Sequence, residues 1–201
     1  MDAELFERIR ARVASSVTEK RYAHSLRTGE LARIMCERYG LAGEAGYVAG
    51  VVHDMCKDCS DDELLALAVR DGGVITALEH AMPDLLHGRA AAVVLRDDYG
   101  VTDSELLQAV ACHTLGGKQL CPLAKILFAA DKIEPGRPQS TDDYRAQLLA
   151  LPLDAMTLAV LEENISYLQA HGKQVAPESL AFRESLRQSI AQTAGAQGAT
   201  A

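Results

Sequence analysis

Residues 49–58 read AGVVHDMCKD, Ala49 to Asp58, and this stretch decides the fold. Upstream and through it, Ala45, Val48, Ala49, Val52 and Cys56 recur three or four residues apart, so the spacing predicts a largely buried helix from Glu44 to about Lys57. His53 and Asp54 then stand side by side at the end of an apolar helix. Adjacent helical side chains diverge by about 100°, which lets both face one pocket there. A buried aspartate is costly unless something compensates its charge.

The same anomaly recurs elsewhere. His24 shares a stripe with Leu31 and Met35, His113 lies seven residues after Leu106, and Asp131 lies four after Leu127. Each polar group therefore points inward, and one multivalent cation compensates all of them together. Imidazole nitrogen mixed with carboxylate oxygen suits zinc, manganese, iron or cobalt. Asp54 is placed to ligate, to bridge two metals or to activate water. Blander readings stand beside this one. A lone histidine on an apolar face is more often a hydrogen-bonded core residue, and Asp131 has Lys132 and Arg137 as alternative partners. Joint occurrence on separate helices favours the metal. Cys56 and Cys59 form a CxxC with no second pair to complete a structural zinc site. Met55, Met82 and Met156 read as core filler.

Outward from these motifs the chain reads as helices throughout. Hydrophobic residues make up 48% of the chain, aromatics 4%, and tryptophan is absent, so Ala, Leu, Val and Ile must fill the interior, which favours helix on helix. The pattern predicts an N-terminal helix over 1–18, a core over 19–137, C-terminal helices over 138–193 packed on the same domain, and a disordered tail over 194–201. Within the core, helices are expected from Glu19 to Tyr39, from Ser60 to about Asp71, from Pro83 to Leu95, from Asp103 through His113, and from Pro122 to Ile133. The stretch from Val74 to Pro83 is mixed. Beyond Pro138, helices are expected over 140–171, with a break near Pro152, and over 177–193.

The formal charge of −8, without a dense Lys/Arg stripe, argues against duplex nucleic acid as a partner. A small polyphosphate needs only a metal and a few local cations. Five cysteines, an odd number, fit a reducing cytoplasmic setting, and no apolar run approaches the ~20 residues that cross a bilayer. No membrane partner is expected, and a homodimer is left open.

The motifs taken together resemble a known family. His24 in RYAHSLRTGELA, the doublet in AGVVHDMCKD, His87 in LLHGRAA, His113 in AVACHTLGG and Asp131 in KILFAADKIEPGR follow the order of the HD superfamily. They are most similar to the YqeK-type symmetrical diadenosine tetraphosphate hydrolases, from about residue 19 to 137 and more loosely through YLQAHGKQVAPESL to about 186. The resemblance implies an all-α HD bundle with a central metal site. His24, His53, Asp54 and Asp131 would bind iron as one or two ions, with manganese or another transition metal as substitutes. His87 and His113 would lie near phosphate or on a second metal. Arg27, Lys57, Thr114 and Arg137 would contact nucleotide, types suited to phosphate oxygens. Asp54, Lys57, His87 and His113 would share the catalytic work. Leu115 departs from the smaller or β-branched residue usual after His-Thr. His80 and His171 match no ligand position and read as surface or loop residues. The implied reaction is cleavage of diadenosine tetraphosphate into two ADP. The alternatives are a deoxynucleotide, a cyclic nucleotide or a guanosine alarmone as substrate, or a noncatalytic nucleotide sensor.

Overall fold

Six helices begin on a side-chain oxygen that accepts from the free amides of the first turn, the residue types that sequence favours at such positions. In a computed structural model, which describes residues 1–198, these caps are Asp2, Thr18, Ser60, Thr76, Asp103 and Thr141. They open α1 (Ala3–Ser16), α2 (Glu19–Arg38), α4 (Asp61–Ala68), α5 (Ala77–Ala81), α7 (Ser104–Cys112) and α9 (Asp142–Leu149). Between and after them run α3 (Gly43–Val52), α6 (His87–Asp97), α8 (Pro122–Ile133), α10 (Leu153–Ala170) and α11 (Pro177–Gly198). Among the described residues there is no strand, and the all-helical expectation is borne out.

α8 is the axis of the core. Leu123, Ile126, Leu127, Phe128, Ala130 and Ile133 are all buried on it, and it packs against α2, α3, α7 and α10. Phe128 meets Phe182 of α11 edge to face, with ring centroids 5.3 Å apart, which fastens the C-terminal helix to the core. α2 and α3 approach until their backbones touch. A Cβ added at Gly50 would lie 2.4 Å from the Cα of Gly29, so both positions must lack a side chain. That closeness brings the rings of His24 and His53 to 5.3 Å.

Several boundaries differ from the sequence pattern. α3 stops at Val52, and residues 53–59 continue as tight turns bonded three residues apart, Met55 to Val52, Lys57 to Asp54 and Cys59 to Cys56. Apolar Met55 and Cys56 extend the hydrophobic run past the true helix end because they stay buried in those turns. The mixed stretch holds α5, secured by a reciprocal cap between Thr76 and Glu79. Pro83 opens a 3-10 turn through Leu86, and the α-helix starts only at His87. Met82 is 49% exposed rather than core filler. The expected disordered tail is helical as far as Gly198, and its remaining residues, 199–201, lie outside the described residues. No helix is long and apolar enough to cross a membrane among the residues described.

Candidate metal centre

Helix ends leave carbonyl groups without partners, and this chain uses such carbonyls to orient imidazoles. His53 caps α3 and His113 caps α7, and their Nδ1 atoms lie 2.7 Å from the Gly50 carbonyl and 2.8 Å from the Val110 carbonyl, each three residues back. His87 opens α6, with Nδ1 2.5 Å from the Asp84 carbonyl. A carbonyl can only accept, so each Nδ1 carries the proton and each Nε2 is left as a lone pair aimed inward. His24 has a different anchor. Its Nδ1 is 3.1 Å from the carboxylate of Glu134.

The four Nε2 atoms converge on two carboxylates. His24 Nε2 is 3.0 Å from Asp131 Oδ1 and 3.9 Å from Asp54 Oδ2. His53 Nε2 lies 3.6 Å from Asp54 Oδ1 and 3.8 Å from Asp131 Oδ1. On the other side of Asp54, Oδ1 stands 3.2 Å from His87 Nε2 and 3.6 Å from His113 Nε2, and those two nitrogens are 3.0 Å apart. Gly88 permits this second pairing, because a Cβ there would stand 3.0 Å from the His113 ring and 2.7 Å from the Val110 carbonyl. His24, His53 and Asp131 offer ligand atoms within 4.8 Å of one another, and so do His53, Asp54 and His113. The Nε2 atoms of His24 and His53 are buried without a hydrogen-bond partner. Unpaired buried lone pairs facing carboxylates are unfavourable unless a cation joins them, so the residues fit a transition metal.

The two carboxylates and His113 point the same way, while at His53 burial is outweighed by Asp54 and Asp131, which raise it. Burial raises Asp54, but His53, His113 and His87 outweigh it and hold the carboxyl well below the usual range. For Asp131, burial is likewise outweighed, by Lys132, His24 and His53. Burial lowers His113 to about 4, so it stays neutral and ligand-competent at neutral pH. Burial also lowers Lys132, against the pull of Asp131.

The centre opens on a cavity of about 1120 Å³. Asp54, Lys57, His87, His113, Thr114, Asp131 and Arg137 line it, whereas His24 and His53 stand behind Asp54 and Asp131. Thr114 Oγ1 is 3.2 Å from His87 Nε2 and 3.3 Å from His113 Nε2. Lys57 bonds Asp84 at 2.6 Å, and Arg137 donates to Asp131 Oδ1 at 2.7 Å. Asp131 thus faces both the imidazoles and its alternative partners, with Lys132 Nζ at 3.5 Å. Arg27 was expected at the nucleotide. It is absent from the cavity lining, and its guanidinium is held on Glu134 through two bonds of 2.6 and 3.2 Å. His80 and His171 are exposed, as their lack of a ligand position implied.

Two residues, Arg21 and Glu134, went unread in the sequence, and Lys132 was read there only as an alternative partner of Asp131. Arg21 donates to Asp54 at 2.8 Å and pairs with Asp58 at 3.2 Å; its place three residues before His24, on the same helical face, was the available signal. Lys132 bonds the His113 carbonyl at 3.0 Å and sits 3.7 Å from the Phe128 ring centroid. Glu134 was detectable as an acid at a helix C-terminus, where the dipole favours cations.

Comparison with known proteins agrees with this geometry. The HD domain family matches residues 21–136. The symmetrical bis(5'-nucleosyl)-tetraphosphatase of Staphylococcus aureus is 36% identical over 140 residues, covering 69% of this chain and 72% of that one. The protein of the same name from Bacillus subtilis is 27% identical over 167 residues, 83% of this chain and 89% of that one. A crystal structure of a predicted HD superfamily hydrolase involved in NAD metabolism, from Clostridium acetobutylicum, matches with a TM-score of 0.84 at 26% identity, over 91% of this chain and 97% of that one. The resemblance carried by the five motifs is therefore borne out, and this chain belongs to the HD-domain family, in the branch of the symmetrical bis(5'-nucleosyl)-tetraphosphatases.

Proposed function

We propose that the protein is a metal-dependent phosphoric anhydride hydrolase that cleaves diadenosine tetraphosphate symmetrically into two ADP. The observation that carries this is the position of Asp54, with one oxygen toward His24 and the other toward His87 and His113, at the mouth of a cavity edged by basic side chains. The names of the Staphylococcus and Bacillus relatives support the substrate.

In this reading His24, His53, Asp54 and Asp131 hold iron, and His87 with His113 complete a second position beside Asp54; manganese is an acceptable substitute. The bound cation supplies the Lewis acidity that anhydride hydrolysis requires. The remaining work belongs to the chain. Lys57 and Arg137 neutralise phosphate oxygens, including the charge that develops on the departing diphosphate, and Thr114 donates a hydroxyl bond. On the far wall, Tyr167, Asn164 and Gln174 give an aromatic face and two amides for the nucleoside. The five thiols are free, which supports a cytoplasmic setting.

One observation favours a second reading, another nucleotide at the same centre: the Clostridium relative is described as involved in NAD metabolism. Incubation of the metal-loaded protein with diadenosine tetraphosphate, NAD and a nucleotide panel in isotopically labelled water separates the two. Only ADP is expected from the tetraphosphate, with one labelled oxygen per cleavage. Early ATP and AMP in equal amounts would sink the symmetrical assignment, and preferential turnover of NAD would favour the second reading.

A further inference from the structure

We propose that Glu134 is the positioning residue of the metal centre, fixing His24 for ligation, and that Arg27 orients Glu134 and does not touch substrate. The inference rests on the metal reading of the centre, and it is independent of which nucleotide is cleaved.

The need for Glu134 follows from where His24 sits. His53, His87 and His113 lie at helix ends, where carbonyls three residues back are available to their Nδ1 atoms. His24 lies inside α2, Glu19–Arg38, where the backbone carbonyls are engaged in the helical ladder. Its Nδ1 must find an acceptor from another element. Glu134, at the end of α8, is the acceptor at 3.1 Å, and this leaves His24 Nε2 unpartnered and 3.0 Å from Asp131. A carboxylate on the far nitrogen fixes the tautomer, holds the ring plane and makes the near nitrogen a stronger donor.

Nothing in the helix itself asks for an acid at that position. A carboxylate at a helix C-terminus opposes the dipole, and Glu134 is only 1% exposed. It is instead satisfied on every side. Oε2 accepts from Arg27 Nε and from the Gly136 amide, both at 2.6 Å, and Oε1 accepts from Arg27 Nη2 at 3.2 Å as well as facing His24. Arg27 and His24 are three residues apart on α2, so one helical face sends both side chains to one carboxylate. Gly136 completes the device. A Cβ there would fall 2.5 to 2.7 Å from three guanidinium atoms of Arg27, so a side chain at this position would shift the fork from its place over the Gly136 amide.

The test reads metal affinity directly. Mn(II) is competed against a chromophoric chelator for the full-length protein and for Glu134→Ala, Glu134→Gln, Arg27→Ala and Gly136→Ala, with far-ultraviolet circular dichroism as the check on folding. Glu134→Ala is expected to weaken Mn(II) by about 10- to 100-fold. Glu134→Gln keeps the shape and an acceptor oxygen, so it should fall between wild type and Ala, and it carries the test if the Ala variant does not fold. Gly136→Ala touches no ligand and should also weaken Mn(II). Arg27→Ala should lower affinity for Mn(II), with KM for diadenosine tetraphosphate unmoved once metal is in excess. Wild-type affinity in both Glu134 variants would overturn the proposal, as would a raised KM in Arg27→Ala at unchanged metal affinity. A wild-type protein that binds no metal would instead overturn the function proposed above.

Discussion

At Asp54 the two carboxylate oxygens serve two neighbourhoods, Oδ2 toward His24 and Arg21, Oδ1 toward His53, His87 and His113. Removing it deletes a ligand from both, so Asp54→Ala is expected to lose metal and to lower turnover by about 10³-fold or more, roughly 4 kcal/mol of transition-state stabilisation, while the helical spectrum persists. Metal analysis beside steady-state kinetics checks this, and full activity at normal metal content would refute the assignment. Lys57→Ala separates charge neutralisation from ligation. It should weaken kcat/KM by about 10- to 100-fold, the value of one charged hydrogen bond, with metal retained. His24, His53 and His113 were readable from sequence as candidate ligands because a polar group on an apolar stripe is an anomaly that can be counted. The role of Glu134 beside His24 and Arg27 was not, since it depends on which carbonyls the helices leave free, and helix ends are what periodicity reads least well.

The elements bring these residues together through backbone contact. α2 and α3 meet at Gly29 and Gly50, and a methyl group at Gly50 has only backbone to displace, 2.4 Å away. Gly50→Ala is therefore expected to cost about 1–3 kcal/mol of stability, the usual range for overpacking, and to push His53 away from His24. A lowered melting temperature together with weaker metal binding is the expected result; a loss of stability at unchanged metal affinity would show that the two helices can part without disturbing the centre. The sequence pattern foresaw both helices, yet it ran α3 on to Lys57. Burial of Met55 and Cys56 in turns imitates a continuing helix, and only the hydrogen bonds tell the two apart. α5 escaped notice for the opposite reason. It has five residues, too few for a period, and its signature is the cap between Thr76 and Glu79.

Across the whole molecule, the cavity joins two ends of the chain that sequence treats separately. One wall carries Asp54, Lys57, His87, His113 and Arg137; the other is α10 with the turn after it, which brings Glu163, Asn164, Tyr167 and Gln174. The second wall lies where the motif resemblance is loosest, so its role comes from shape. Tyr167 is 53% exposed although it lines the cavity, with its ring 4.1 Å from that of His171. A large aromatic left open in a cleft suits stacking against a flat, apolar face, and on the function proposed above that face is a nucleobase. Stacking of this kind contributes about 1–3 kcal/mol, so Tyr167→Ala should raise KM for diadenosine tetraphosphate by about 5- to 100-fold. Because the ring would hold the base and not the reacting phosphates, the loss should fall on KM and spare kcat. Tyr167→Phe keeps the ring and should restore most of the affinity, which distinguishes stacking from a hydrogen bond of the hydroxyl. Equal KM in wild type and Tyr167→Ala would move the nucleoside to another part of the cavity, leaving the metal assignment untouched.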